Sequence, residues 1–239
     1  GKSNFRIQVA TTLPYKGQRK TNEDKPKFYD EIRDYLQKHF GFQMMYGVEA
    51  DDALTIASEY FKGKPNVTTL IATKDKDLWQ YAGNHYNMNN KELMVITPEE
   101  GHRNFWEQMI LGDMGTDNIP GLSHAAKWEI LFRDEEAQKK HRPIPCHSFG
   151  KVRAKKILDE TPPEDYAKVI YELYIDAYGI DEEDDDDFGD KRFHETYELV
   201  FMLREKPKDL KIHFNPVKIK KTDIEFDDDY DGFRPTLEF

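Results

Sequence analysis

Cysteine is almost missing from this 239-residue chain, in which Cys146 stands alone. A disulfide framework is therefore excluded, nothing reads as a secretory signal, and a reducing cytoplasm fits. Long apolar runs are missing too, and with a mean hydropathy of −0.85 no stretch reads as a membrane-spanning helix. No internal repeat is evident. Positive charge is also short, since 35 Lys and Arg face 46 Asp and Glu and leave a net charge of −11. The length suffices for one sizeable core with a small satellite subdomain.

The place of the acid changes the meaning of that charge. Residues 181–187 carry seven acids, and Asp223, Glu225, Asp227, Asp228, Asp229 and Asp231 carry six; without these thirteen the net charge would be +2. Residues 1–20 hold five Lys or Arg and no acid, and residues 139–156 hold seven and no acid. Such local basic patches are either solvated faces or places where phosphates are gripped.

Seven carboxylates fall in three tight clusters: Glu49-Ala50-Asp51-Asp52, Asp75-Lys76-Asp77, and Asp113 with Asp117. Like charges a few ångströms apart repel and raise one another's pKa, so packed carboxylates imply bound cations. Oxygen-only sites favour Mg²⁺ or Mn²⁺. Each cluster also has an ordinary reading. Glu49, Asp51 and Asp52 suit the start of a helix, and Asp75 with Asp77 suits an Asx turn. A metal explains all three together. His124, His141, Cys146 and His147 match no standard zinc spacing.

Periodicity supplies the scaffold. Residues 5–10 alternate like a strand, and residues 15–27 are polar and poor in apolar anchors, as in a mobile segment. Phe28, Ile32, Tyr35 and Leu36 have helical spacing that ends at Gly41, and a second helix runs from Glu49 to about Phe61. Val67 to Thr73 reads as a buried strand, followed by a short helix through Gln80. Leu93 to Thr97 is another strand, and Pro98 opens the helix bearing Phe105, Trp106 and Met109. Helical patterns recur from Tyr166 to Tyr178 and from Phe193 to Leu203, separated by the acidic run, with an extended tail over 207–239. Alternating strands and helices predict an α/β fold with a mostly parallel sheet, which binds ligands at the carboxyl ends of its strands. Asp75 and Asp77 lie past such an end and, two apart in extended chain, share one side while Lys76 points away.

The ordered set of signatures resembles the 5′ nuclease family, which includes phage 5′-3′ exonucleases, flap endonucleases and the 5′ nuclease domain of bacterial DNA polymerase I. Glu49-Ala50-Asp51-Asp52, Asp75-Lys76-Asp77 and Gly112-Asp113 leading to Asp117-Asn118-Ile119-Pro120-Gly121 are similar to its acidic motifs. Asn4-Phe5-Arg6 resembles its arginine strand, and Tyr15-Lys16-Gly17-Gln18-Arg19 its Tyr-Lys-x-x-Arg opening of the helical arch. Ser148-Phe149-Gly150-Lys151-Val152-Arg153-Ala154 resembles its DNA-binding glycine hairpin. The match covers roughly residues 1–160.

The resemblance implies a PIN-like nuclease core over 1–121 with an arch near 15–27, and a helical DNA-binding region over 122–206 with a helix-hairpin-helix near 148–158. It implies two Mg²⁺ ions, replaceable by Mn²⁺, held by Glu49, Asp51, Asp52, Asp75, Asp77, Asp113 and Asp117, and K⁺ at the hairpin. Lys16 and Arg19 would be catalytic. Arg6, Tyr15, Lys16, Arg19, Gly150, Lys151, Arg153 and Lys155 would bind nucleic acid, with Tyr15 stacking a base. The substrates would be DNA with 5′ ends, flaps or nicks and RNA in hybrids, met by a monomer in the cytoplasm, the host's if the chain is phage-encoded. Two departures stand out. Three residues separate Asp113 from Asp117 where the family has two, which makes Asp113 the firmer ligand unless Gly115 absorbs the extra residue. The family's first strand, with two further aspartates, has no counterpart before Gly1, so the resemblance implies a fragment, a trimmed protein or one piece of a split gene. A catalytically silent, structure-specific DNA-binding protein is the rival expectation.

Overall fold

Several helix starts and stops follow local chemistry in the computed structural model, which describes residues 4–17, 26–42, 44–124, 149–178 and 188–205. The first element corrects the reading of residues 5–10 as a strand: α1 (Arg6–Val9) is a single helical turn. Asn4 explains it, because its side-chain oxygen accepts the Arg6 N–H at 3.2 Å and its carbonyl accepts the Ile7 N–H. Next come α2 (Tyr29–Phe40), closed by Gly41 at φ 67, and α3 (Ala50–Phe61), whose N-cap is Glu49. In α4 (Pro98–Leu111) proline takes the first turn and Thr97 forms a capping box with Glu100.

The sheet is small and mixed. Strands β1 (Leu70–Thr73), β2 (Gly83–Asn87) and β3 (Glu92–Ile96) lie in that order, with β1 parallel to β2 and β2 antiparallel to β3. The mostly parallel sheet expected from the sequence is thus corrected. Residues 83–87, Gly-Asn-His-Tyr-Asn, lack alternation and β-branched side chains, yet they form the central strand, and a short hairpin returns β3 alongside it. The strand expected to be buried over 67–73 is shorter, and only Ile71 of β1 is buried.

The main core lies beside the sheet. Phe105, Trp106, Met109 and Ile110 of α4 pack on α5 (Lys151–Glu160), α6 (Tyr166–Tyr178) and α7 (Phe188–Val200) through Leu158, Ile170, Tyr174 and Phe193. Tyr174 also donates its hydroxyl to the Met109 carbonyl at 2.7 Å. A second, smaller cluster joins Ile71, Leu78 and Tyr81 to Met202. From the last turn of α7 the chain runs on as a strap over residues 199–204. Met202 N–H donates to Gln80 Oε1, Leu203 N–H donates to an Asp52 oxygen, and the Leu203 carbonyl accepts from Thr55. No helix among the described residues is long and apolar enough to cross a membrane. The acidic run at 181–187 and the tail over 207–239 lie outside the described residues.

Candidate functional site

Three chain segments deliver carboxylates to one cavity of about 780 Å³. The first is the start of α3. Glu49 and Asp51 face the cavity, whereas Asp52 turns the other way, is fully buried, and receives both ends of the Arg6 guanidinium at 2.5 and 2.9 Å. It also accepts the N–H groups of Glu49 and Leu203. This corrects the expectation for Asp52, which with its oxygens occupied is not placed to ligate a metal. Arg6 lines the cavity yet is only 3% exposed, and its guanidinium also donates to the carbonyls of Leu199 and Phe201.

The second segment follows β1. Asp75 caps a 3-10 turn over Lys76–Gln80, and its Oδ1 accepts the Asp77 N–H at 3.0 Å. The Asx turn is therefore real, yet both aspartates still line the cavity. Lys76 lines it as well, contrary to the extended-chain expectation, because the chain coils here.

The third segment is the loop after α4. Gly112 (φ 63) and Gly121 (φ 52) touch so closely that a Cβ on either would fall 2.4 Å from backbone of the loop, so only glycine closes it. Within it Asp113 Oδ1 accepts the Thr116 N–H and the Asp113 carbonyl accepts the Asp117 N–H. Asn118 follows in the left-handed region (φ 65), whereas Gly115 does not take a positive φ. Both Asp113 and Asp117 reach the cavity.

Cations share the cavity with these carboxylates. Lys16 ion-pairs with Glu49 and lies 3.6 Å from Asp117. Tyr15 is buried, with its hydroxyl 2.7 Å from Glu49 and 2.9 Å from Asp117. Packed against Ile119 and Leu199, its ring is not available to stack a base, which corrects that expectation. Gly150 and Lys151 at the start of α5 also line the cavity. Arg153 lies over the Phe149 ring at 4.0 Å, and Lys155 is exposed on the same helix. Arg19, residues 18–25 of the expected arch, and residues 125–148, which hold His141, Cys146 and His147, lie outside the described residues.

The electrostatics register this crowding. Burial, then the charges of Asp75 and Glu49, push the Asp51 carboxyl up to about 6. Burial, then Asp75 and Asp113, push Asp77 up to about 6 as well. Burial also opposes the Glu49 charge, but hydrogen bonds from Lys16 and Tyr15 outweigh it and hold that carboxylate below its usual range.

Among the described residues no three metal-ligating side chains gather around one point; Glu49 and Asp117 gather on Lys16 and Tyr15 instead. The donor set nonetheless suits a hard divalent cation. Every acidic side chain on the cavity wall offers oxygen, two are driven toward protonation by burial and then by their neighbours, and Mg²⁺ needs only one or two direct carboxylates with water completing its shell. Sequence reasoning missed Glu107, another carboxylate of the wall, and Asn104 and Gln108 beside it. On α4 they read as an ordinary polar helix face. No protein-family model, no curated protein and no solved structure matches the chain.

Proposed function

We propose that the cavity is the centre of a metal-dependent 5′ nuclease that cuts phosphodiester bonds of DNA at 5′ ends, flaps and nicks, and of RNA in hybrids. The observation that carries this reading is the convergence of six carboxylates from residues 49–51, 75–77 and 113–117 on one cavity that also holds Lys16 and Lys151. In this reading the small α/β sheet and its helices belong to a PIN-like nuclease core, and Gly150 with α5 to a helix-hairpin-helix. Glu49, Asp51, Asp75, Asp77, Asp113 and Asp117 would hold Mg²⁺, which when bound lowers the pKa of a water and offsets charge developing on the phosphate.

The chain's own groups do the rest. Lys16, on the Glu49 and Asp117 edge, neutralises the phosphate as negative charge builds in the transition state. Lys151 and the backbone N–H groups at the start of α5 hold an adjacent phosphate across the cavity. Asp51 and Asp77, raised toward neutrality without a cation, become full anions when one arrives. The seclusion of Asp52 by Arg6 favours a second reading, a silent binder of branched DNA, because it removes one expected ligand.

A 5′-flap duplex incubated with the protein in Mg²⁺ or EDTA separates the two. Mg²⁺-dependent release of 5′ fragments supports the nuclease. Tight flap binding without cleavage supports the binder, and the absence of both overturns both readings.

A further inference from the structure

We propose that Gln108 and Gln80 are positioning residues that hold the Asp77 carboxylate for a divalent cation, through a one-way chain of side-chain amides anchored on the strap at the end of α7. Gln108 Nε2 donates to Asp77 Oδ1 at 2.9 Å, and Gln80 Nε2 donates to Gln108 Oε1 at 3.0 Å. Gln80 Nε2 also donates to the Val200 carbonyl at 3.0 Å, while Gln80 Oε1 accepts the Met202 N–H at 2.9 Å.

The direction of this chain is forced at both ends. A backbone N–H can only donate, so Gln80 must turn its oxygen to Met202 and its amino group to Gln108. An ionised carboxylate can only accept, so Gln108 must turn its amino group to Asp77. Neither amide can flip without placing two donors or two acceptors against each other. Gln80 is 1% exposed, where an unpaired amide would be costly. The network is thereby locked, and the lock ends on a cavity carboxylate. A bond to one oxygen fixes the carboxylate plane and leaves Asp77 Oδ2 turned to its remaining surroundings. Asp75, by contrast, takes its hydrogen bond from Asp77 N–H in its own turn. Outer-shell donors of this kind set the orientation of a ligand, and removing one weakens metal affinity by about ten- to a hundredfold.

The assignment rests on the nuclease reading of the cavity, and the test keeps the two apart. Mn²⁺ is titrated into the full chain by electron paramagnetic resonance, without substrate, for the parent, Gln108→Met, Asp77→Asn and the double variant. Single-turnover flap cleavage is followed over a Mg²⁺ series alongside. Gln108→Met should weaken Mn²⁺ binding at least tenfold, with most of the cleavage rate restored at saturating Mg²⁺. In the Asp77→Asn background it should add nothing, because the residue acts through that carboxylate. Gln108→Leu serves the same purpose should Gln108→Met fail to fold. Unchanged Mn²⁺ affinity in the folded variant, or an equal further loss in the Asp77→Asn background, overturns the positioning role. A parent that binds no Mn²⁺ overturns the nuclease reading itself, before any variant is compared.

Discussion

Asp77→Asn should stabilise the metal-free protein while crippling it as a nuclease. The Asp77 carboxyl stands at about 6 in the fold against about 4 in an unfolded chain. At about 1.36 kcal/mol per pKa unit the ionised group costs the native state about 3 kcal/mol above pH 6. Solvent reaching this half-buried side chain screens part of that and leaves about 1–2 kcal/mol. Because the folded pKa is raised, the native state binds more protons than the unfolded one between pH 4 and pH 6. The cost is therefore small near pH 4, grows through that window and is constant above it. Asparagine removes the charge and keeps an oxygen for Gln108 Nε2. In EDTA at pH 8 the variant should melt about 2–8 °C above the parent, at about 2–4 °C per kcal/mol for a chain of this size. By pH 4.5 that gap should shrink by more than half, and saturating Mg²⁺ should narrow it by stabilising the parent more than the variant. Thermal melts read by circular dichroism, paired with flap cleavage, decide the matter. A variant less stable than the parent in EDTA at pH 8, or a gap indifferent to pH, would refute the crowding argument.

Three further outcomes follow from the same geometry. Lys16→Ala should lower the single-turnover cleavage rate far more than flap affinity, since its charge matters most where negative charge develops; weaker affinity with an unchanged rate would make it an ordinary binding residue. Lys151→Ala combined with Arg153→Ala should weaken duplex binding and reduce the slope of log K against log salt by about one for each phosphate no longer neutralised, and an unchanged slope would remove α5 from the interface. Asp52→Asn should cost about 3–5 kcal/mol of stability by leaving the Arg6 guanidinium buried without its counter-charge, yet the folded variant should keep the parent's Mn²⁺ affinity. A selective loss of Mn²⁺ would return Asp52 to the metal.

What could be read from the residues depended on how local the cause was. Thr97-Pro98 with Glu100 fixes the start of α4 within a few residues, and Gly41 fixes the end of α2, so both helices were legible. Asp75 and Asp77 were legible as a pair because they follow a strand, although the Asx-capped turn that presents them differs from the extended chain expected. The strand of residues 83–87 was hidden, since Gly83, Asn84 and Asn87 carry weak strand preference and the pairing is supplied by β1 and β3. Arg6 and Asp52 show the limit most clearly. A residue 46 positions away decides that one carboxylate of three becomes structural, and no spacing in the segment distinguishes Asp52 from Asp51. Gln80 and Gln108 were silent for the same reason, because their roles exist only once α4, the turn after β1 and the strap have come together.

The strap over residues 199–204 also sets a timetable. It joins partners as far apart as 193 and 195 positions through Arg6, and 122 through Gln80, so both flanks of the carboxylate cavity wait for the end of α7. A ribosome adding 5–20 residues per second needs on the order of ten seconds to pass from Asp77 to Arg204. During that interval Arg6, Asp52 and Gln80 exist without their partners in the strap, and the three carboxylate segments are not held together by it. The nascent chain therefore carries the acidic residues before the cavity that gathers them exists, and the cavity comes into being only when the strap has been made.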